Sequence, residues 1–376
     1  MYSSRSGFVK ESRAVLALAV LTPLTAFAGG LSNSDQSAST SGVSNAGSVA
    51  NPENASTIFF NPAGMSRLSG TNLSFGAILF EIDAVGRDSE TSATRANGDP
   101  VVGDGGGDHV ETFAVPNAYL THEVNDWLDI GLGVYVPYGL SPSFAVDSGE
   151  GFSLGGGINV LYADAEQRNP VDFSGIEARF SLPRGTLNDG YATLEGDDVA
   201  LEFTVGLLWQ ATPETSLGLA ARTGTEFNLK GTGTINQFPT LSANGLTQTT
   251  VSEQIKVPIT IPQSLSVGLA HQWNDTLKLL AGATWAKWSD ASALSVVSRE
   301  KTPAAFPAEQ PSEEQVQSWK DTWQWRVGAI WQVAPTWSLK AGYLFDESPV
   351  TIETRSPLTP FDDYHQVSLG AQIRDL

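Results

Sequence analysis

Side chains able to do chemistry are few and scattered in this chain of 376 residues. Cysteine is absent, which excludes a thiol nucleophile, a zinc–thiolate site, an iron–sulfur cluster and a disulfide scaffold. The histidines, His109, His122, His271 and His365, stand alone, and no Gly-x-Ser-x-Gly elbow, Walker loop or His-Glu-x-x-His pattern occurs. Neither catalysis nor a bound cofactor is expected from them. Asp104 and Asp108 in the glycine-rich run 103–108, with Asp99 nearby, have oxygens that Ca²⁺ could use, yet a solvated loop explains the run and no metal site is assigned. The charges that do fall in a pattern are Glu202, Arg222, Glu226 and Arg326. Each sits among small polar residues that alternate with apolar ones. Glu202 and Arg222 flank a turn near Thr212, so a cross-strand ion pair is predicted there, one that fixes a wall rather than catalyses.

The elements that hold those charges are legible as period-two alternation. Val199, Leu201, Phe203, Val205, Leu207 and Trp209 share one face, with Ala200, Glu202, Thr204, Gly206, Leu208 and Gln210 on the other. After a turn at 211–214 the pattern resumes over 216–230, with Leu217, Leu219, Ala221, Phe227 and Leu229 on one face and Gly218, Ala220, Arg222, Glu226 and Lys230 on the other, and it returns at 322–332 and 337–346. Shorter runs cover 72–82, 112–122, 128–138, 152–163, 264–273, 277–288 and 364–373. Many of these strands are longer than the usual five or six residues, and about 9–11 residues tilted by ~45° suffice to cross a bilayer. Trp127, Trp209, Trp273, Trp331 and Trp337 all flank short turns, where a membrane–water interface holds amphipathic rings. With 41 acidic against 21 basic side chains the net charge is −20, so the chain repels phosphate and nucleic acid is excluded as a partner.

Arg5, Lys10 and Arg13 precede an uncharged apolar run at 14–28 ending in Ala26-Phe27-Ala28, the form of an export signal. That run is shorter than the ~20 residues a spanning helix needs. Cleavage after Ala28 would deepen the net charge to −22, because it removes three basic side chains and Glu11. The predicted organisation is a signal peptide at 1–28, a plug at 29–70 and a barrel at 71–376. Residues 29–70 do not alternate and are rich in Ser, Asn, Ala and Gly, suiting a segment folded into a lumen. The expected fold is an all-β transmembrane antiparallel barrel in the bacterial outer membrane. Short and long connectors alternate as such a barrel requires, except around 152–163, where two long ones adjoin. Either that segment does not span, or a strand and its turn are absent.

Several stretches carry a resemblance in their shared order: Ala55-Ser56-Thr57 with Asn61-Pro62-Ala63-Gly64-Met65, Gly133-Val134-Tyr135-Val136-Pro137-Tyr138-Gly139-Leu140, Ile261-Pro262-Gln263-Ser264, Trp319-Lys320-Asp321-Thr322-Trp323, and Ala341-Gly342-Tyr343-Leu344-Phe345-Asp346. The sequence resembles the FadL/TodX family of outer-membrane transporters for long-chain fatty acids and other hydrophobic compounds. The resemblance implies a 14-stranded barrel, of which about 10–12 strands are present here, plugged by a hatch containing Asn61, Pro62, Ala63, Gly64 and Met65. It implies a kinked third strand with a lateral opening at Gly131, Gly133, Pro137 and Gly139; a proline there cannot donate to the ladder. Phe144, Phe152, Phe173, Phe180, Phe238, Leu241 and Leu246 are outer-loop candidates for a ligand groove.

Passive transport of fatty acids or hydrocarbons is the implied activity. The implied partners are those hydrophobic molecules, outer-membrane lipid and the barrel assembly machinery, with the chain a monomer. Against the family pattern, a strand and turn are expected to be missing after Leu140. Only one strand follows the turn near 359–365, where about three are usual. Two other readings compete: an outer-membrane lipid hydrolase, which needs a nucleophile beside a histidine, and a structural or adhesive barrel.

Overall fold

A computed structural model describes residues 35–81, 94–95, 98–100, 113–135, 139–242, 245–291, 293–300, 315–316, 318–351 and 362–373. The expected export signal, Pro137 and the run 103–108 lie outside the described residues, as does His109.

The alternating runs form antiparallel strands: β1 (Thr71–Phe80), β2 (Phe113–Asn125), β3 (Leu128–Tyr135), β4 (Gly139–Asp147), β5 (Phe152–Val171), β6 (Gly190–Thr212), β7 (Thr215–Arg222), β8 (Thr225–Ser242), β9 (Gly245–Ile261), β10 (Ser264–Gln272), β11 (Leu277–Ala286), the two-residue pieces β12 (Ala293–Leu294), β13 (Val297–Ser298) and β14 (Gln315–Val316), then β15 (Thr322–Ala334), β16 (Trp337–Asp346) and β17 (Tyr364–Ile373). All except β12 and β14 belong to one 15-stranded sheet running from β1 to β17. Its faces invert the usual distribution. Phe75, Val205, Val327 and Leu369 point outward and are more than half exposed, while Glu202, Thr204, Arg326 and Lys340 point inward and are buried. Only a hydrocarbon surround makes that arrangement favourable. Trp127, Trp209, Trp273, Trp331 and Trp337 all lie near the short turns on the outer surface. Phe152 stacks on Trp209 with ring centroids 5.2 Å apart.

Two strands are bent rather than doubled. β7 runs into β8 through Thr223-Gly224, where Gly224 has φ +68, and β9 runs into β10 through Pro262-Gln263. A Cβ on Gly224 would fall 2.5 Å from the Gln263 nitrogen, so the two bends pack on each other. Between the pairs Thr204↔Arg222 and Asp197↔Lys230 the register slips by one residue, and a one-residue slip exchanges the faces of a strand. Above the bends β5, β6, β8 and β9 continue as a tower beyond the rest of the wall. Counting each bent strand once gives twelve wall strands among the described residues.

The strand expected to be missing after Leu140 is present. β4 pairs with β3 throughout and with β5, and the chain turns tightly at 148–151 into a 20-residue β5 that spans. Pro142 explains why it was hidden: without an N–H it leaves a gap in the β4–β5 ladder between Leu140↔Val160 and Ser143↔Gly157. Gly131 to Gly139 is also not one kinked strand. The chain reverses between Tyr135 and Gly139, which pair with each other, and β3 is laddered on both sides.

Inside the wall lies the segment 35–70, with α1 (Ala38–Ser41), α2 (Thr57–Phe60) and a 3₁₀ turn, Pro62–Arg67. Asn61 organises it and is fully buried. Its carboxamide oxygen accepts from the Ala63 nitrogen (3.1 Å), capping the 3₁₀ turn that Pro62 opens, and its Nδ2 donates to the carbonyls of Val49 (2.7 Å) and Leu207 on β6 (3.0 Å). The wall meets this segment through inward glycines. A Cβ on Gly206 would lie 1.9 Å from the Asn61 Oδ1, one on Gly218 1.9 Å from the Val49 carbonyl oxygen, and one on Gly342 2.1 Å from the Val43 carbonyl carbon. The wall therefore presses directly on the segment's backbone and on the Asn61 carboxamide, which only residues lacking a side chain permit.

Candidate functional site

The interior polar groups converge on α2. Arg222, projecting inward from β7, places Nη1 3.1 Å from Glu202 Oε2 on β6, donates through Nη2 to the Phe59 carbonyl, and lies over the Phe59 ring at 4.4 Å. Arg222 is paired in register with Thr204, so Glu202 is its diagonal neighbour. Glu202 also accepts from Asn159 Nδ2 at 2.5 Å. Asn159 Oδ1 in turn accepts from Ser141 (2.6 Å) and Tyr135 (3.3 Å). Phe59 meets Phe60 and Tyr135 edge to face at 4.9 and 5.1 Å, and Tyr119 stacks on Tyr135 at 5.8 Å. An aromatic cluster and a chain of hydrogen bonds thus share one wall of the lumen.

Next to this cluster is a cavity of about 110 Å³ between the segment 35–70 and strands β6, β7, β10, β11 and β15. Its lining mixes Phe59, Phe60, Val267 and Trp288 with Arg222 and Arg326. Arg326 donates to Thr284 Oγ1 (3.0 Å) and to Gln324, which itself holds Asp346 at 2.8 Å. Small-molecule pockets usually hold roughly 300–1,000 Å³, so in this conformation the cavity is too small to hold a whole long acyl chain.

The plug is pinned on the far side by a buried ion pair that sequence reasoning did not single out. Lys340 of β16 donates to Glu53 Oε2 at 2.5 Å and to the Ser39 carbonyl and hydroxyl at 3.0 Å each; both charged side chains are more than nine-tenths buried. Asn51 bonds the other Glu53 oxygen (3.1 Å) and accepts from Lys278 of β11 (3.0 Å). The signal available was Lys340 on the inward face of a strand whose outward face is apolar.

The remaining predicted residues divide. Pro62, Ala63, Gly64 and Met65 are buried in the 3₁₀ turn, and Gly131 accommodates Met65 and Ile58, whose atoms would lie 2.6 and 2.7 Å from its Cβ. Gly133 likewise faces Tyr119 and Tyr135. Gly131 thus receives the plug, whereas Gly133 makes room for two tyrosines of the wall; a lateral opening within β3 is not found among the described residues. Phe173, Phe238 and Leu246 do assemble, with Leu187 and Ile235, inside the tower, the two phenyl rings 6.2 Å apart. Leu241 pairs with Leu246 at the tip of the β8–β9 hairpin, and Phe180, following α3 (Ser174–Arg179), is exposed. Phe144 and Phe152 are not in outer loops. Phe144 faces outward from β4 and Phe152 stands at the short-turn end of β5, because the missed strand carried them to the wall. Glu226 does not share the inward face with Arg222. The slip at Gly224 turns it away, and Phe227 and Leu229 point inward instead, packed on Leu161 and Ala200.

At the outer end Arg95 joins Asp172 (3.3 Å) and Asp189. Hydrogen bonding to Asp172, with the charge of Asp189 nearby, raises the guanidinium above its ordinary pKa against the desolvation it suffers. The histidines of the wall bond Thr71 (His122), Thr215 (His271) and Tyr343 (His365), at 2.9, 3.0 and 2.7 Å.

A wall with a greasy outer surface and a polar interior filled by the segment 35–70 is the architecture of an outer-membrane barrel. Comparison specifies the class: the profile of the outer membrane protein transport protein family (OMPP1/FadL/TodX) matches residues 19–149 and 141–374, and the chain belongs to that family. It is a family of transporters of hydrophobic compounds across the bacterial outer membrane, not of enzymes. An outer membrane protein of Neisseria meningitidis serogroup B is 27% identical over 350 residues, covering 80% of this chain and 73% of that protein. The long-chain fatty acid transport protein of Salmonella typhi is 23% identical, covering 98% and 88%. Among solved structures, a Pseudomonas aeruginosa FadL homologue superposes with a TM-score of 0.72 at 20% identity, covering 94% of this chain and 88% of that one. The Pseudomonas putida toluene transporter TodX gives 0.60 at 17%, covering 89% and 88%.

Proposed function

We propose that this chain carries long-chain fatty acids or similarly headed apolar molecules inward by diffusion, with residues 35–70 serving as the hatch. The observation that carries the reading is the luminal cavity, whose phenyl and indole surface suits an acyl chain and whose two arginines suit a carboxylate. Phe238 and Leu246, half-buried against Phe173, offer an apolar surface at the outer end where such a molecule would first settle.

For the exit we favour the low wall above the β3–β4 hairpin. β3 has only 8 residues, which at ~3.3 Å per residue and a tilt of ~40° rise about 20 Å, less than the ~25 Å apolar band of an outer-membrane barrel. The strands that flank the β3–β4 hairpin, β2 and β5, continue to Phe113 and Val171, so the dip would open sideways into the outer leaflet.

Uptake of labelled oleate by a host lacking its own transporter tests the reading. Expression should restore uptake, and Asn61→Ala, which removes the plug's bond to Leu207 of β6 and its internal bond to Val49, should reduce it severalfold at equal surface expression. No uptake from a heat-modifiable, correctly inserted chain refutes fatty-acid transport; unchanged uptake by Asn61→Ala refutes the hatch's part in it.

A further inference from the structure

We infer that the outward face at the root of the tower, at Lys230, Lys256 and Arg299, binds the phosphorylated saccharide head group of an outer-leaflet glycolipid. The site concerns the lipid around the barrel and is independent of what passes through it.

Lysine is unevenly distributed in this chain of net charge −20. Of eight lysines, Lys10 lies in the expected export signal, and Lys278 and Lys340 project into the lumen, where they bond Asn51 and Glu53. The other five all fall between positions 230 and 320. Strand register brings two of these face to face, Lys230 of β8 standing directly opposite Lys256 of β9. Like charges so placed repel and destabilise the pair of strands. On the far side of Lys256 lies β13, whose Val297 pairs with it. Ser298 turns inward to bond the buried Glu253 at 2.7 Å, so Arg299, whose nitrogen continues the ladder to the Gln254 carbonyl, turns outward beside the lysines. Lys230 and Arg299 are exposed and Lys256 is half-buried. None of the three forms an ion pair among the described residues.

The height of this patch follows from β6. Its outward apolar run goes from Trp209, at the short-turn end, up to Val199. At ~3.3 Å per residue and a tilt of ~40° that run rises about 25 Å, the depth of the apolar band. Asp197 is the next outward residue, and Lys230 is its in-register partner on β8. The three cations therefore stand in the head-group layer of the outer leaflet. Toward β5 the same face is acidic, with Asp164 opposite Asp197 and Glu166 opposite Glu195. The sign changes between β6 and β8, so an anion is repelled on one side and held on the other. Outer-leaflet glycolipids present phosphate on a saccharide at this height, whereas inner-leaflet phospholipids lie at the opposite, short-turn end. One phosphate accepts from both ammonium groups and the guanidinium, which relieves the repulsion between Lys230 and Lys256.

Titration of the detergent-solubilised full chain with deep-rough lipopolysaccharide, the bound fraction read by native mass spectrometry, tests the site. Lys230→Gln with Lys256→Gln should weaken binding about thirtyfold, since each lysine near an anionic lipid surface is worth about fivefold. Arg179→Gln with Arg184→Gln removes the same charge at the outer end of the tower, beyond screening distance, and should change the affinity by less than about twofold. Lipopolysaccharide stripped of its phosphates should bind the unaltered chain as weakly as the phosphorylated form binds the lysine double variant. Unchanged affinity in that double variant overturns the site, and equal weakening by both double variants reduces it to bulk charge. Phosphatidylglycerol binding as tightly as the glycolipid overturns the saccharide-phosphate assignment, and displacement by inorganic phosphate overturns a lipid as the occupant. If the lysine double variant shows no heat-dependent gel shift, Lys256→Gln alone carries the test, with a weakening of about fivefold expected.

Discussion

Lys340 and Glu53 sit where charges are normally expensive, both nearly sealed from solvent and each the other's main compensation. Removing one leaves the other buried and unpaired, an effect of about 3–5 kcal/mol in such settings, whereas removing both with apolar residues of similar size is often nearly neutral. Lys340→Met should therefore lower the temperature at which the folded band is lost on a denaturing gel, and Lys340→Met with Glu53→Met should recover most of it. A double variant as labile as the single one would show that the pair is not self-contained. The inward position of Lys340 was readable from alternation, but its partner was not: Glu53 lies in a segment without periodicity, so nothing in the sequence set its distance from β16. Glu202 and Arg222 were readable because a turn of known place joined their strands. Glu226 was misread for a complementary reason, since alternation assigns faces only while the register holds, and Gly224 breaks it.

Among the elements, the wall strands and the non-alternating segment inside them could be recognised from pattern alone. β4 could not, because Pro142 reads as an interruption although its neighbours alternate correctly, with Ser141, Ser143 and Ala145 inward and Phe144 and Val146 outward. What no pattern displays is the contact surface between wall and plug. Gly206→Ala and Gly218→Ala each place a carbon within 2 Å of plug atoms that cannot swing away without leaving their hydrogen bonds or their backbone path. Either should unseat the plug and sensitise the host to large polar antibiotics normally excluded by the outer membrane. Gly76→Ala is the control, since its Cβ meets only the Asn117 side chain, at 3.3 Å. Equal antibiotic sensitivity in all three would mean the plug tolerates displacement.

The whole molecule is defined by an outward surface that water would not tolerate. Val205, mid-strand in β6 and 61% exposed, faces lipid. Arginine near the bilayer midplane is penalised by about 2–4 kcal/mol and near the interface by about 0–1. Val205→Arg should accordingly weaken or abolish the heat-modifiable species, and Trp209→Arg, four residues nearer the short turn, should do so far less. Similar losses at both positions would argue against the depth assigned to this strand.

The plug's fixed contacts bridge great lengths of chain: Ser44 to Ser368 spans 324 residues, Lys340 to Ser39 spans 301, and Lys340 to Glu53 spans 287. Contacts so remote in sequence form only after the intervening chain has been brought round, because loop closure must precede their reward. Residues 35–70 are made before any strand, yet their seats are shared among strands up to β17. Synthesis order and docking order are therefore reversed, and the wall must assemble around a lumen that is still empty.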